Sequence, residues 1–159
     1  MGALLELSIP GRPDLRINYL VLDYNGTLAV DGKLLIGVAE RLVELAPKLD
    51  IHVITADTFG MAAVETAGLP LTLQVIGQGY QATAKLALVE SLGPESVVAV
   101  GNGANDHLML RAAALGICVL GGEGASTPTL LASEVVVRNA VDALDLLLHP
   151  GRLAATLRV

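Results

Sequence analysis

The chain of 159 residues has no tryptophan, a single phenylalanine (Phe59) and three tyrosines, so aromatic side chains make up only 3% of it. A stacking platform for single-stranded nucleic acid, or an aromatic cleft for sugars, is not expected from so few rings. It has one cysteine, Cys118, which excludes an intrachain disulfide and a cysteine-rich zinc site. Cys118 lies in the apolar run Ile117-Cys118-Val119-Leu120 and reads as a small core residue. His52, His107 and His149 are too scattered to suggest a zinc cluster. Basic residues are scarce and form no run: ten Lys and Arg stand against sixteen Asp and Glu, for a net charge of −6. Nothing in that pattern would neutralise a phosphate backbone, so nucleic acid is a poor partner. No apolar stretch approaches the roughly 18 residues that a membrane span needs. The first residues lack the basic start of a signal peptide, which makes a cytoplasmic location the default.

What the chain does have is hydrophobic mass, 53% of its residues, with only 16% charged. That composition excludes intrinsic disorder and implies a large core, or a core plus an apolar patch that a second copy covers. A homo-oligomer is therefore expected. The length fits one domain, 1–159, in which residues 150–159 form either a tail or a final packing segment. Short apolar runs at 4–9, 17–23, 51–55, 71–76, 97–101, 117–120 and 135–137 predict strands. Longer amphipathic stretches at 38–49, 58–67, 80–92, 106–115 and 141–148 predict helices. Gly68 and Gly93 stand where helix C-caps belong, each followed within two residues by a proline. The alternation reads as an α/β fold: a doubly wound, mainly parallel sheet with helices on both faces. The first two runs, joined by Pro10-Gly11-Arg12-Pro13-Asp14, predict a β-hairpin at a sheet edge.

In such sheets ligands bind beyond the carboxyl ends of the strands. The polar residues of this greasy chain concentrate there: Asp23-Tyr24-Asn25-Gly26-Thr27, Thr55-Ala56-Asp57 and Gly101-Asn102-Gly103-Ala104-Asn105-Asp106, with Lys85 early on the helix after the fourth strand. Each has an ordinary reading when taken alone. Asn25-Gly26 is a common tight-turn pair, a lone Asp or Thr is a common cap, and a lone Lys is a solvated helix residue. Gly101-Asn102-Gly103 falls short of a dinucleotide-binding loop, because Asp106 stands where the third glycine belongs. Together, Asp23 and Asp106 would repel by about 4 kcal/mol at ~4 Å and an effective dielectric of ~20. A hard divalent cation such as Mg²⁺ is the simplest compensation, with Thr55 and Lys85 suited to phosphate oxygens. An aspartate can also attack phosphorus to give an aspartyl-phosphate.

The order of these residues resembles the haloacid dehalogenase (HAD) superfamily of aspartate-nucleophile phosphotransferases. Val21-Leu22-Asp23-Tyr24-Asn25-Gly26-Thr27-Leu28 is similar to its first motif, Thr55 to its second, Lys85 to its third and Gly101 to Asp106 to its fourth. Within the superfamily, the pattern resembles most the phosphorylation domain of P-type ATPases and their small soluble, capless relatives. The resemblance implies Asp23 as nucleophile, Thr55 and Lys85 as phosphoryl ligands, and Asn105 as a residue that positions the phosphoryl group or Asp23. It implies a Mg²⁺ site from Asp23, the backbone carbonyl of Asn25, Asn102 and Asp106, and a phosphorylated small molecule or phosphoprotein as substrate. Only 27 residues (28–54) separate the first two motifs and 29 (56–84) separate Thr55 from Lys85, which leaves no room for a cap domain.

Two departures matter. Asn25 replaces the Asp that protonates the leaving oxygen and activates water, and loss of such a group costs ~10²–10⁴-fold. Asn102 replaces an acidic metal ligand with a neutral one. The expectation is therefore a Mg²⁺-dependent phosphohydrolase with slow turnover. Its alternatives are a phosphate-binding or regulatory protein of the same fold, or a subunit whose partner supplies the base.

Overall fold

A computed structural model describes residues 2–57 and 59–159. Its centre is a six-stranded, all-parallel sheet of β3 (Tyr19–Asp23), β6 (Asp50–Thr55), β7 (Thr72–Val75), β8 (Val97–Gly101), β9 (Leu115–Val119) and β10 (Val135–Val137). The spatial order is β10-β9-β8-β3-β6-β7, so the chain winds outward in both directions from β3. The expected doubly wound α/β fold is present.

The period-2 alternation of the central strands assigns their side chains to two faces. Leu20 and Leu22 of β3 enter the larger apolar cluster, beneath α1 (Val38–Leu45), α6 (Ala140–Leu148) and α7 (Pro150–Leu157). Val21 enters a smaller cluster against α3 (Gln81–Leu92) and α4 (His107–Ala112), with α5 (Thr127–Ala132) packed beyond. By the same alternation Asp23 follows Val21 onto the second face. Arg41 of α1 bonds Asp145 of α6 at 2.7 Å, and Asn139 caps α6 by accepting from the Asp142 N–H.

Several expectations need adjustment. The N-terminal hairpin forms, from β1 (Leu5–Leu7) and β2 (Leu15–Ile17), but as a separate two-stranded sheet and not at the edge of the main one. The run 17–23 divides at Asn18: its N–H bonds the Ser96 carbonyl, its carbonyl accepts from Asp50, and its side chain donates to Ala3. That division releases Tyr19–Asp23 into the middle of the parallel sheet. The expected helix 106–115 is shorter, because Leu115 opens β9; Gly116 lies so close to the Leu110 carbonyl that a Cβ would come within 2.6 Å of it. The expected helix 38–49 ends at Leu45. Of the expected helix 58–67, Thr58 lies outside the described residues and α2 runs Met61–Glu65. A hairpin of β4 (Ala29–Val30) and β5 (Lys33–Leu34), and helix α5, were not expected. The segment 150–159 is a packing element: α7 buries Leu153, and the Val159 N–H meets the Pro10 carbonyl.

Between β3 and β6 stand only the β4–β5 hairpin and α1, so nothing of cap size interrupts the sheet there. No helix among the described residues is long and apolar enough to cross a membrane.

Candidate active site

The carboxyl ends of three neighbouring strands, β6, β3 and β8, bring Thr55, Asp23 and Asn102 to one edge. After β3 the chain turns sharply over the Tyr24 carbonyl, which accepts from the N–H groups of Thr27, Leu28 and Ala29. Gly26 is required in that turn twice over: its φ is +79°, and a Cβ there would collide with the Asn102 side chain. Buried Tyr24 anchors the turn through its hydroxyl, which donates to the Gly32 carbonyl at 2.8 Å.

Lys85 reaches the edge from α3. Its stripe on that helix, Gln81, Lys85 and Val89, follows i, i+4, i+8 spacing and faces the sheet. The Lys85 ammonium is 1% exposed and spends its three N–H donors on three acceptors: Asp106 Oδ1 at 2.7 Å, Asp23 Oδ1 at 2.9 Å and Asn105 Oδ1 at 3.1 Å. Asp106 is fully buried, and its other oxygen accepts the backbone N–H groups of Asn102 and Gly103, each at 3.0 Å. Gly101 makes this possible, since a Cβ would fall 2.6 Å from the Asp106 carboxyl. Asp106 thus braces the loop after β8 and the Lys85 ammonium from below. A metal ligand was expected of it; here its oxygens accept from Lys85 and from the Asn102 and Gly103 N–H groups, and the residues that line the cavity do not include it.

Electrostatics follow from this burial. Desolvation, then the neighbouring Asp106 charge, pushes the Asp23 carboxyl up to about 7, against the pull of Lys85 and the Thr27 hydroxyl. Burial also disfavours the Lys85 ammonium, but Asp23 and Asp106 outweigh it and hold Lys85 above the usual lysine value. The site contains an ammonium firmly charged and a nucleophile candidate whose ionisation is incomplete near neutrality.

Above these groups opens a cavity of about 510 Å³ lined by Asp23, Asn25, Thr55, Lys85, Asn102 and Asn105, joined by Gln78, Gln81 and Glu123. Thr55 is buried, and its Oγ1 accepts from the Asp57 N–H at 3.2 Å. Asp57, at a positive φ of 38°, accepts in turn from the N–H groups of Ala62 and Ala63. Gln81, Gln78 and Glu123 were not among the residues the sequence singled out, and Thr27 was quoted there only as part of the first motif. Gln81 stands one helical turn before Lys85, a spacing that locates it. Its Oε1 accepts from Asn105 Nδ2 at 2.6 Å and its own amide donates to the Gln78 carbonyl, so the Asn105 carbonyl oxygen is turned toward Lys85. Glu123 sits in Gly121-Gly122-Glu123-Gly124, beyond the carboxyl end of β9, where a polar residue at a strand end is again the signal.

The donor set fits a hard cation. The Thr27 hydroxyl lies 3.0 Å from Asp23 Oδ2 and 3.2 Å from Asn102 Oδ1, so two acceptor oxygens share one hydroxyl hydrogen. A carboxylate oxygen and an amide oxygen drawn together in that way suit Mg²⁺. Among the described residues no group of three or more His, Cys, Asp and Glu gathers for a metal.

No family model matches the sequence. Uncharacterized protein MJ0073 of Methanocaldococcus jannaschii is 50% identical over 84 residues, which cover 50% of this chain and 90% of that protein. Uncharacterized protein MJ0072 of the same organism is 49% identical over 39 residues, 24% of this chain and 89% of that one. The chain belongs to the family of MJ0073.

Solved structures show which fold this family member adopts. A 3-deoxy-D-manno-octulosonate 8-phosphate phosphatase from Moraxella catarrhalis, in complex with magnesium, phosphate and KDO, superposes with TM-score 0.68 at 17% identity over 89% of this chain and 94% of that one. The cobalt-bound deoxy-D-mannose-octulosonate 8-phosphate phosphatase of Haemophilus influenzae gives 0.68 at 15% identity over 90% and 94%. A chain from Streptomyces avermitilis described as a HAD family hydrolase gives 0.67 at 19% identity over 84% of each. The MJ0073 family member therefore has the HAD-like fold, in its capless form.

Proposed function

We propose that the chain catalyses phosphoryl transfer through an aspartyl-phosphate on Asp23, with a divalent cation, Mg²⁺ by its oxygen donors, at the same edge. The observation that carries this reading is the Lys85 ammonium bridging Asp23 and Asp106 directly beneath an open polar cavity. A carboxylate held by a buried cation at the wall of that cavity is placed to attack phosphorus once ionised. Lys85 pulls Asp23 toward ionisation against the effect of burial, and Asp106 keeps Lys85 in place and charged. Thr55, at the end of the neighbouring strand, presents a hydroxyl to a phosphoryl oxygen, and the Asn105 amide steadies the Lys85 side. When bound, the cation supplies positive charge that completes the ionisation of Asp23 and offsets charge on the transferring group. Asp23, the Asn25 carbonyl and Asn102 would hold it.

The phosphoryl group comes from a phosphorylated small molecule or phosphoprotein, and the reaction class is phosphate-ester hydrolysis, as in the structural neighbours' names. The resemblance to P-type ATPase phosphorylation domains agrees with Asn25, because an aspartyl-phosphate that lacks a base beside it persists. That same residue, with Asn102, favours the second reading, a phosphate-binding or regulatory protein with little turnover.

The test is labelling by acetyl phosphate, whose leaving group needs little protonation. With Mg²⁺ present, an acid-stable, hydroxylamine-sensitive phosphate should appear on Asp23 and be absent from Asp23→Asn and in excess chelator. Absence of label on the wild type, with phosphate or beryllofluoride still binding, would leave the binding-protein reading in its place.

A further inference from the structure

Position 25 holds an amide, which cannot take a proton from water, so hydrolysis of an aspartyl-phosphate needs another base. Among the described residues lining the cavity the side chains are two carboxylates, Asp23 and Glu123, one ammonium, four amides besides Asn25, and Thr55. Asp23 is consumed as the ester, Lys85 is protonated, and neither an amide nor a hydroxyl accepts a proton at neutral pH. We propose that Glu123 is the catalytic base of the hydrolytic half-reaction, taking over from beyond the end of β9, two strands from β3, the role that Asn25 cannot perform. The inference rests on the aspartyl-phosphate reading above.

The loop that carries Glu123 is built to stand at the reacting end. It is pinched shut by the Gly124 N–H donating to the Gly121 carbonyl at 2.9 Å. Asn102 grips it from both sides: its Nδ2 donates to the Gly124 carbonyl at 3.1 Å, and its backbone carbonyl accepts from Ser126 at 2.8 Å. Gly121 lies against the turn after Asp23, a Cβ there falling 3.9 Å from the Gly26 carbonyl, and Gly122 lies against Val30 of the β4–β5 hairpin. The carboxylate itself is exposed, and the one hydrogen bond it accepts among the described residues is long, 3.4 Å from the Asp31 N–H. It is positioned but not neutralised, as a base must be.

In the step, a water oxygen bonds to phosphorus while the bond from phosphorus to the Asp23 oxygen breaks, its electron pair returning to the carboxylate. One water proton passes to Glu123 and the other leaves with phosphate as hydrogen phosphate. Glu123 then loses its proton to solvent through its exposed side.

The experiment follows the lifetime of the phosphoenzyme and needs no knowledge of the natural substrate. The full chain is labelled with acetyl phosphate at saturating Mg²⁺, excess donor is removed, and decay of the label is timed. Glu123→Gln should lengthen the lifetime by about 10²-fold or more, the ~10²–10⁴-fold range of a lost base. Glu123→Ala should behave likewise and be accelerated by added formate, and Asn25→Asp placed in either variant should restore decay. Unchanged lifetimes in both variants would overturn the assignment, as would a variant that needs far more Mg²⁺ than the wild type to take up label and then decays normally at saturation, which would make Glu123 a metal ligand. If the wild type takes no label, the aspartyl-phosphate reading itself falls, and the assignment of Glu123 falls with it.

Discussion

The two faces of the central sheet are built on opposite principles. Beneath α1, α6 and α7 the face is apolar throughout: Leu20, Leu22, Val98, Val100, Leu42, Leu45, Leu144 and Leu147 belong to one buried cluster. Polar contacts there lie at the margin, as with Arg41 and Asp145, a partly exposed pair of the kind worth at most about 1 kcal/mol. Beneath α3 and α4 the cluster is smaller, and three buried charges, Asp23, Lys85 and Asp106, stand at its end. One helix stripe shows the transition: Val89 packs with Val21 and Ile54, Lys85 meets the carboxylates, and Gln81 reaches the cavity. The difference shows where stability resides and where it is given up. The first face gains free energy by area, roughly 25 cal/mol per Å² of apolar surface. The second holds charges whose desolvation their mutual attraction barely repays, and which are retained because chemistry needs them.

That contrast can be broken most forcefully at Lys85. Lys85→Met should leave Asp23 and Asp106 buried without their cation, at a cost on the order of 3–5 kcal/mol, and should abolish acetyl-phosphate labelling. Urea unfolding and the labelling assay read the two effects. Retained stability would show that the buried charges are less coupled than their 2.7 and 2.9 Å contacts imply.

On the other face, Leu144→Ala should cost about 2–5 kcal/mol by cavity formation while leaving Asp23 labelled to the same extent in the folded fraction. Loss of label without loss of stability would erase the division of labour between the faces.

A pH titration sharpens the comparison further. The carboxyl of Asp23 is raised from 3.8 to about 7, so between those values the folded chain binds more protons than the unfolded chain. By linkage, this group's contribution makes metal-free protein lose stability as pH rises from about 4 through 7. The difference in melting temperature between wild type and Asp23→Asn, measured in chelator, should therefore shift in favour of the variant over that window. Added Mg²⁺ should reduce the gap at pH 8. A pH-independent difference would mean that Asp23 ionises normally in the fold.

The smallest effect belongs to the apolar side's rim. Asn139→Ala removes the side-chain cap of α6 and should cost about 0.5–2 kcal/mol, with no change in labelling.

Much of the sheet was legible because its central strands are buried on both faces and read as unbroken apolar runs, 97–101 and 117–119 among them. The run 17–23 misled for the same reason: periodicity does not register that Asn18 turns its amide and carbonyl to Ser96 and Asp50, contacts remote in sequence. Leu115 was assigned to a helix because Ala112, Ala113 and Ala114 are good helix formers, whereas the close seat of Gly116 on Leu110 ends that helix earlier. Helix α5 was missed because its short Thr127–Ala132 run carries little amphipathic signal.

By itself the sequence determined the fold class and the identity of the polar residues at the sheet edge, because strand ends and turn residues are local properties. Asp23, Asn25, Thr55, Asn102 and Asn105 line the cavity together with Lys85, and Gly26 marks the turn that the first motif needs. Only the tertiary structure decided how the charges are shared. The choice of Lys85 as partner for Asp106, the screening of Asp106 from the cavity, and the delivery of Gln81 and Glu123 to its wall all depend on which strands became neighbours. That order arises from burying two apolar faces at once, a condition no stretch of the chain meets alone.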